Sequence, residues 1–394
     1  MELRGLEVRT SGATARLQCE VVTASGPETL WFEVPRAHAA HLDTERYDGL
    51  VVALLPRAMA RGEDITVRGA LSLRLHFNLA HFYMAVQAPL VRTDRAVRIH
   101  PDTVIDRVAE PRPRAAATGF SAGVDSFAAL HDHFVTESRP GYRITHLLLN
   151  NVGSHGQRDP AAARRLFMQR HAAVRGYAEE AGLDLVTVDS NLDEVLGLDF
   201  EQTHTQRNVA VALLLQPLLG RFYYASTYRY ADCGVRENFD SGSTDPIALP
   251  LLATETLDLV ATGSQHTRVV KTALLAAVPG ANRYLNVCTN AAAAGHNCSR
   301  CKKCARTQLT LEALGMLPDF GAVFSPTDWP ATRDDFIAET LLGPRILPLS
   351  RELRSFLEAQ GYRFTWRQRT LALRHVIPKP LRRIGRRASR ALSR

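Results

Sequence analysis

The stretch Thr118-Gly119-Phe120-Ser121-Ala122-Gly123-Val124-Asp125-Ser126-Phe127 decides how the rest of the chain is read. It follows Ala115 to Phe120, a small apolar run with the character of a buried strand, and precedes Phe127 to Thr136, which reads as a helix. Small residues between the two let the backbone turn sharply. Its N–H groups and the hydroxyls of Ser121 and Ser126 can then converge on an anion at the positive end of the following helix. This is the composition of a phosphate cradle, and it lacks the Gly-Lys-Ser/Thr of a Walker loop. The bland alternative is a strand-to-helix turn that holds nothing.

Downstream, Ile144 to Asn150 is a nearly continuous apolar strand, and Pro160 to Ala181 reads as a helix stopped by Gly182. Leu185 to Val188 is a further strand, Arg207 to Leu215 a helix and Arg221 to Ala225 another strand. Strands that are apolar along their whole length and alternate with helices predict an α/β fold, a parallel sheet with helices on both faces. Upstream, alternation at Arg16–Val22, Thr29–Val34 and Ile65–Gly69, with Gly49–Arg61 as strand or helix, suggests an α+β unit over residues 1–110. Two prolines in Glu110-Pro111-Arg112-Pro113-Arg114 mark a boundary, so that 114–315 is the nucleotide unit. Residues 316–394 form a helical C-terminal extension, with helices at Arg333–Leu342 and Leu347–Gln360.

The 394 residues, 45% hydrophobic and 22% charged, fit two or three ordinary globular domains. The longest apolar run, Val209–Leu215, ends at Gln216-Pro217, far short of the roughly 20 residues of a bilayer span. Glu2, Arg4, Glu7 and Arg9 interrupt any secretory segment at the start, so a cytoplasmic location is expected. The net charge of +8 is concentrated: Gly361 to Arg394 holds eleven Arg or Lys and no acid, leaving 37 bases against 40 acids elsewhere. Such a tail is a solvated end or an attractor of polyanions, RNA or anionic membrane among them. Nucleic acid is not the favoured partner. Of only four lysines, Lys271 is a candidate cation for a phosphate or else a solvated helix residue.

Cys288, Cys298, Cys301 and Cys304 are four of six cysteines and form Cys-x9-Cys-x2-Cys-x2-Cys. Thiolates three apart can share one ion from a tight turn, and Cys288 completes four sulfurs. All-sulfur tetrahedral coordination suits Zn2+ in a closed, structural site, with an iron–sulfur cluster as the competitor.

Ser121 to Ser126 resembles the signature loop of the PP-loop ATP pyrophosphatases, Ser-Gly-Gly-x-Asp-Ser, with Ala122 in place of the first glycine. The resemblance implies a PP-loop (HUP-like) fold that takes ATP and Mg2+. Ser121, Ala122, Gly123, Val124, Asp125 and Ser126 would hold the phosphates, and Asp125 would also place the Mg2+. Asn151, at the end of the second strand, would border the adenosine, with Arg207 and Asn208 near the nucleotide. Asp125 and Lys271 would be the catalytic pair. Together with Cys298-Ser299-Arg300-Cys301-Lys302-Lys303-Cys304-Ala305-Arg306, which is similar to a Cys-Gly-x-Cys-x-x-Cys-x-Arg motif, the loop resembles the 7-cyano-7-deazaguanine synthase family over Ala115 to Gly315. In that family the cysteines bind structural zinc.

The chain departs from the family between Tyr223 and Ala261. A Gly-Val-Asn-x-x-Asp stretch gives way there to Ser226–Tyr230 and Ser241–Pro246. A divergent relative with a different substrate is implied. It would adenylate a carboxylate or amide carbonyl of a small-molecule or peptide acceptor, release pyrophosphate and transfer ammonia or an amine. The first 110 residues would bind the acceptor. No glutaminase segment is visible, so a partner would deliver the ammonia unless it is taken free. Sulfur transfer through Cys233 or Cys19, fed by a sulfur donor protein, is the alternative, as is tRNA modification using the tail. A homodimer is left open.

Overall fold

Three extended runs open the chain in the computed structural model: β1 (Glu2–Ser11), β2 (Thr14–Thr23) and β3 (Gly26–Pro35), an antiparallel meander joined by two-residue turns. The alternation in β2 sends Ala15, Leu17, Cys19 and Val21 into the interior. Helix α1 (Asp48–Arg61), β4 (Ile65–Ser72), the short α2 (Leu73–Asn78), α3 (Met84–Val91) and β5 (Ile99–Ile105) follow. Residues 1–93, 95–155, 159–237, 240–293, 295–343 and 347–376 are described. Most of the arginine-rich tail lies outside them.

The strand–helix alternation then begins: β6 (Ala115–Gly119), α4 (Val124–Leu130), β7 (His146–Asn151), α5 (Pro160–Ala181), β8 (Asp184–Ser190), the short α6 (Leu192–Leu196), α7 (Phe200–Leu214), β9 (Leu219–Ala225), α8 (Asp245–Leu252) and β10 (Asp258–Thr262). Helix α5 has the ends its sequence predicts. Asp159 caps the Ala161 N–H, Pro160 opens the first turn, and Gly182 takes a left-handed φ of 65° at the stop. Helix α7 starts seven residues before the expected Arg207, capped by Asp199 on the Glu201 N–H. Its first turns read as polar because Thr203, Thr205 and Gln206 are buried through hydrogen bonds rather than apolar contact.

All strands join one ten-stranded sheet in the order β10-β9-β6-β7-β8-β3-β2-β1-β4-β5. From β10 to β8 every neighbour is parallel, β8, β3, β2 and β1 pair antiparallel, and β1, β4 and β5 are parallel again. The chain runs outward from β6 through β7 to β8, then crosses back to place β9 and β10 on the other side of β6. That reversal opens a crevice at the carboxyl ends of β6 and β9, where open α/β sheets hold ligands.

Both faces are covered. Ala117, Leu148, Val186 and Phe222 face a core filled by α1, α7 and α8. Their neighbours Ala116, Leu147, Leu149 and Tyr223 face a second core with Val124 and Phe127 of α4 and Phe167, Val174 and Tyr177 of α5. The first core is shared with β1–β4, so sheet and core both run across Pro111–Pro113. Polar contacts span the same junction: Gln216 donates to Asp43 (2.7 Å) and Asp48 (3.0 Å), and Arg57 to the Val195 carbonyl (2.6 Å).

Beyond the sheet come α9 (Arg268–Leu274), α10 (Ala281–Tyr284), α11 (Lys302–Ala313), α12 (Asp328–Phe336), α13 (Pro348–Ala359) and α14 (Trp366–Val376). A third core of Ala305, Leu309, Trp329, Phe336, Leu353 and Leu357 receives Val269 of α9. Among the described residues no helix is long and apolar enough to cross a membrane.

Helices α1 and α7 pack tightly at Gly49, where an added Cβ would lie 2.7 Å from both the Ala210 carbonyl oxygen and Leu214 Cγ. Gly49→Ala is therefore expected to destabilise the protein by about 1–3 kcal/mol through overpacking. Urea unfolding of the two forms measures this, and an unchanged midpoint would show that the helices are not in contact.

Candidate functional site

The turn after β6 is shaped by one residue. Ala122 is buried with φ +56°, a left-handed conformation in which alanine costs about 1–2 kcal/mol. Its carbonyl is thereby turned to accept from the Asn286 N–H at 2.7 Å. Among the described residues only Arg92, Ala122 and Ser299 are non-glycines with positive φ. Ala122 and Ser299 are the two positions at which this chain replaces a glycine of the motifs resembled above. Gly123 precedes α4, and the Ser126 hydroxyl returns to its carbonyl at 2.9 Å.

A cavity of about 250 Å3 opens at the crevice of the sheet. Gly119, Phe120, Ser121, Asp125 and Ser126 line it from the turn and α4, Leu148 to Asn150 with Ser154 and His155 from the end of β7, and Tyr224 and Ala225 from β9. Arg170 of α5 and Asn208 of α7 complete the wall. Of the residues expected to touch nucleotide, Ser121, Asp125, Ser126 and Asn208 are thus brought together. Ala122, Gly123 and Val124 form the turn itself without lining the cavity.

Asn151 and Arg207 stand behind the wall. Asn151 donates to Asp189 at 2.7 Å, and Asn150, its neighbour, is the residue that faces the cavity. Arg207 is fully buried and donates to Thr203 Oγ1 (2.7 Å), the Val152 carbonyl (2.7 Å), Asp193 (2.6 Å) and the Leu198 carbonyl (2.8 Å). It clamps the turn after β7 to the segment before α7.

Lys271 is only 1% exposed, which overturns the picture of a solvated helix lysine. Its ammonium donates to Asp125 Oδ1 at 3.1 Å and to the Ser226 carbonyl at 2.5 Å. Arg268, one turn earlier on α9, donates to the other Asp125 oxygen. Burial alone would raise the Asp125 carboxyl, but Arg268 and then Lys271 outweigh it and hold the group below its ordinary value. Two fixed cations thus meet one carboxylate at the phosphate turn. Arg268 was given no role from the sequence, although its spacing of three from Lys271 was an available signal.

A second polar group lies behind Tyr224. His204 Nδ1 is 2.6 Å from the Tyr224 hydroxyl, and Nε2 is 2.9 Å from Asp240, which also accepts from Tyr228 at 2.8 Å. Glu201, His204 and Asp240 bring their ligand-type atoms within 4.8 Å of one another. Asp245 beside them accepts from Thr205 at 2.7 Å, and burial pushes its carboxyl up to about 7. A carboxylate–imidazole–phenol chain of this kind can pass a proton to or from the cavity wall. Nothing in the spacing of these residues pointed to it, because they meet only through the loop between β9 and α8.

Cys288, Cys298, Cys301 and Cys304 form a group with all four sulfurs within 4.8 Å of one another. Cys288 and Cys301 sulfurs are 3.9 Å apart, against about 3.8 Å for thiolates on a tetrahedral ion with bonds of about 2.3 Å. The loop is built to hold that shape. Asn297 bridges the Leu285 carbonyl and the Val287 N–H at 2.8 Å each, the Ser299 carbonyl accepts from Gln308 at 2.8 Å, and Cys301 opens α11.

No family model, no curated protein and no solved structure matches the chain.

If the left-handed turn at Ala122 is strained as described, Ala122→Gly should relieve it. Allowing for the greater freedom of glycine in the unfolded chain, the net gain is about 0.5–1 kcal/mol. Thermal unfolding should show a higher midpoint, and a lower one would mean that Ala122 does not adopt this conformation.

Proposed function

We propose that the protein is an ATP-dependent ligase of the PP-loop type, which forms an adenylate on a carboxylate or amide carbonyl, releases pyrophosphate and transfers ammonia or an amine to the activated carbon. The observation that carries this reading is the meeting of Asp125, Lys271 and Arg268 at a turn whose left-handed Ala122 matches a glycine of the resembled loop. Ser299, left-handed at the glycine of the resembled cysteine motif, supports it independently.

The chemistry follows from the charges. Cleavage between the α- and β-phosphates puts negative charge on the departing pyrophosphate, and a fixed ammonium and guanidinium offset that charge without reorganising. Asp125, kept ionised by its two cations, supplies the carboxylate that would hold Mg2+ beside the phosphates. A bound Mg2+ would supply the positive charge that neutralises the phosphates. Tyr224, backed by His204 and Asp240, offers the route by which the attacking nitrogen loses its proton.

Sulfur transfer is less well served. Cys19 is buried in β2, its thiol pushed up to about 12 by burial. Cys233 donates to the Arg229 carbonyl, and burial followed by Asp245 raises it to about 11, which favours the thiol over the nucleophilic thiolate at pH 7. Neither lines the cavity.

We also propose that the four cysteines hold one structural Zn2+. Four sulfurs leave no position open for chemistry, and metal binding would be coupled to folding of the loop. Purified protein should contain one zinc per chain by metal analysis, and Cys301→Ser should lower zinc content and soluble yield together. Iron with a visible chromophore, or well-folded protein without metal, would refute this.

For the reaction, labelled ATP should yield AMP and pyrophosphate across a panel of carboxylates with ammonia. Asp125→Asn should cut turnover by about 100-fold or more while leaving the metal content unchanged. Formation of ADP and phosphate, or full activity in the variant, would overturn the assignment.

A further inference from the structure

Helix α14 has an outer face that the rest of the described chain leaves uncovered. Its start is fixed by a reciprocal pair: Thr365 Oγ1 accepts from the Gln368 N–H at 3.2 Å, and Gln368 Oε1 accepts from the Thr365 N–H at 3.0 Å. The Gln368 amide also donates to Asp334 Oδ1 at 2.7 Å, which pins α14 to α12. Gln368 and Ala372, four residues apart, are buried on this inner side. Trp366 and Leu373, seven apart and so nearly aligned along the helix, stand on the outer side, 81% and 60% exposed. No large apolar side chain among the described residues is more exposed than Trp366.

The helical period sets arginines on both flanks of this apolar pair, Arg369 on one and Arg367 and Arg374 on the other. Among the described residues only Arg367 of the three meets a carboxylate, Asp334 at 3.4 Å. Of the eleven Arg or Lys between Gly361 and Arg394, seven follow α14, and the whole stretch holds no acid. A single exposed apolar residue needs no explanation. A tryptophan and a leucine in one stripe between arginines have the pattern of a helix lying in the plane of a bilayer surface. There the apolar pair leaves water at the acyl boundary while the guanidinium groups stay among the headgroup phosphates. A nucleic-acid backbone would match the arginines and offer Leu373 no apolar phase.

We propose that the outer face of α14 docks on an anionic phospholipid membrane, with Trp366 and Leu373 entering the interface and the basic residues of positions 361–394 drawn to the headgroups. The charges are complementary: a stretch of bases without acids meets a surface of negative potential. Because Thr365, Gln368 and Asp334 already hold the helix in place, its outer face is presented without the ordering cost of a segment that folds on binding. The surface is independent of the chemistry proposed for the cavity.

Flotation of the full chain with vesicles tests this, using phosphatidylcholine alone and phosphatidylcholine with phosphatidylglycerol at about two to one. Binding is expected to the mixed vesicles only, weakened by salt, with a blue shift of tryptophan emission from Trp366, the exposed one of three tryptophans. Trp366→Ala combined with Leu373→Ala should lower the affinity on the order of tenfold or more and abolish the shift, with the thermal midpoint unchanged because both side chains are exposed. Arg374→Gln should lower the affinity about fivefold and keep the shift at saturating lipid. Equal binding to phosphatidylcholine alone, no binding to the mixed vesicles, or full binding by the double variant overturns the proposal. Retention of RNA in place of vesicles would assign the face to nucleic acid and overturn it as well.

Discussion

The buried ammonium of Lys271 is the constraint around which the site is arranged. A lysine 1% exposed is tolerated only where a counter-charge and further acceptors surround it, since an unpaired charge in the interior costs several kcal/mol. Asp125 and the Ser226 carbonyl meet that need. One nitrogen therefore ties α9 to the start of α4 and to the exit of β9, the two sides of the crevice where the strand order reverses. Arg268 adds a second cation to the same carboxylate. The proposed phosphates would compete with Asp125 for both cations, and Asp125 would in turn be released toward a metal, so ligand and ion pair are alternatives for the same charges.

The cysteine cluster is coupled to this arrangement through the backbone. In its left-handed conformation Ala122 accepts from the Asn286 N–H, and Asn286 lies two residues before Cys288. Asn297 then closes the loop that carries the sulfurs, and α11 starts at Cys301. A metal held by the four cysteines would thus stiffen the segment against which the phosphate turn rests, and its loss would be felt at Ala122 before any group that touches ligand.

Much of this was legible in the chain. The β6–turn–α4 stretch, the apolar β7 and the capped α5 follow local rules: small residues at the turn, continuous apolar character in a covered strand, Asp-Pro at one helix end and glycine at the other. The four cysteines were legible because ligand geometry is short-range in sequence. What escaped were features made by long-range contact. Helix α7 hides its first turns because Thr205 and Gln206 are buried by hydrogen bonding. The buried state of Lys271 depends on Asp125, 146 residues away. Asn150 rather than Asn151 lines the cavity because the Asn151 side chain is drawn to Asp189 on β8, a long-range contact that a motif match does not resolve. The edge strand β5, and the pairing of β3 with β8 that carries the sheet across the proline pair, likewise have no local signature.

The turn at Ser121–Ser126 is proposed to grip the β- and γ-phosphates of ATP. The most direct measurement is a crystal structure with Mg2+ and the non-cleavable analogue α,β-methylene-ATP. Phosphate oxygens are expected within hydrogen-bonding distance of Ser121, Ser126 and the first N–H groups of α4, with Lys271 or Arg268 moved from Asp125 onto phosphate. Density for the nucleotide elsewhere on the protein, with the Asp125–Lys271 pair unchanged, would contradict it.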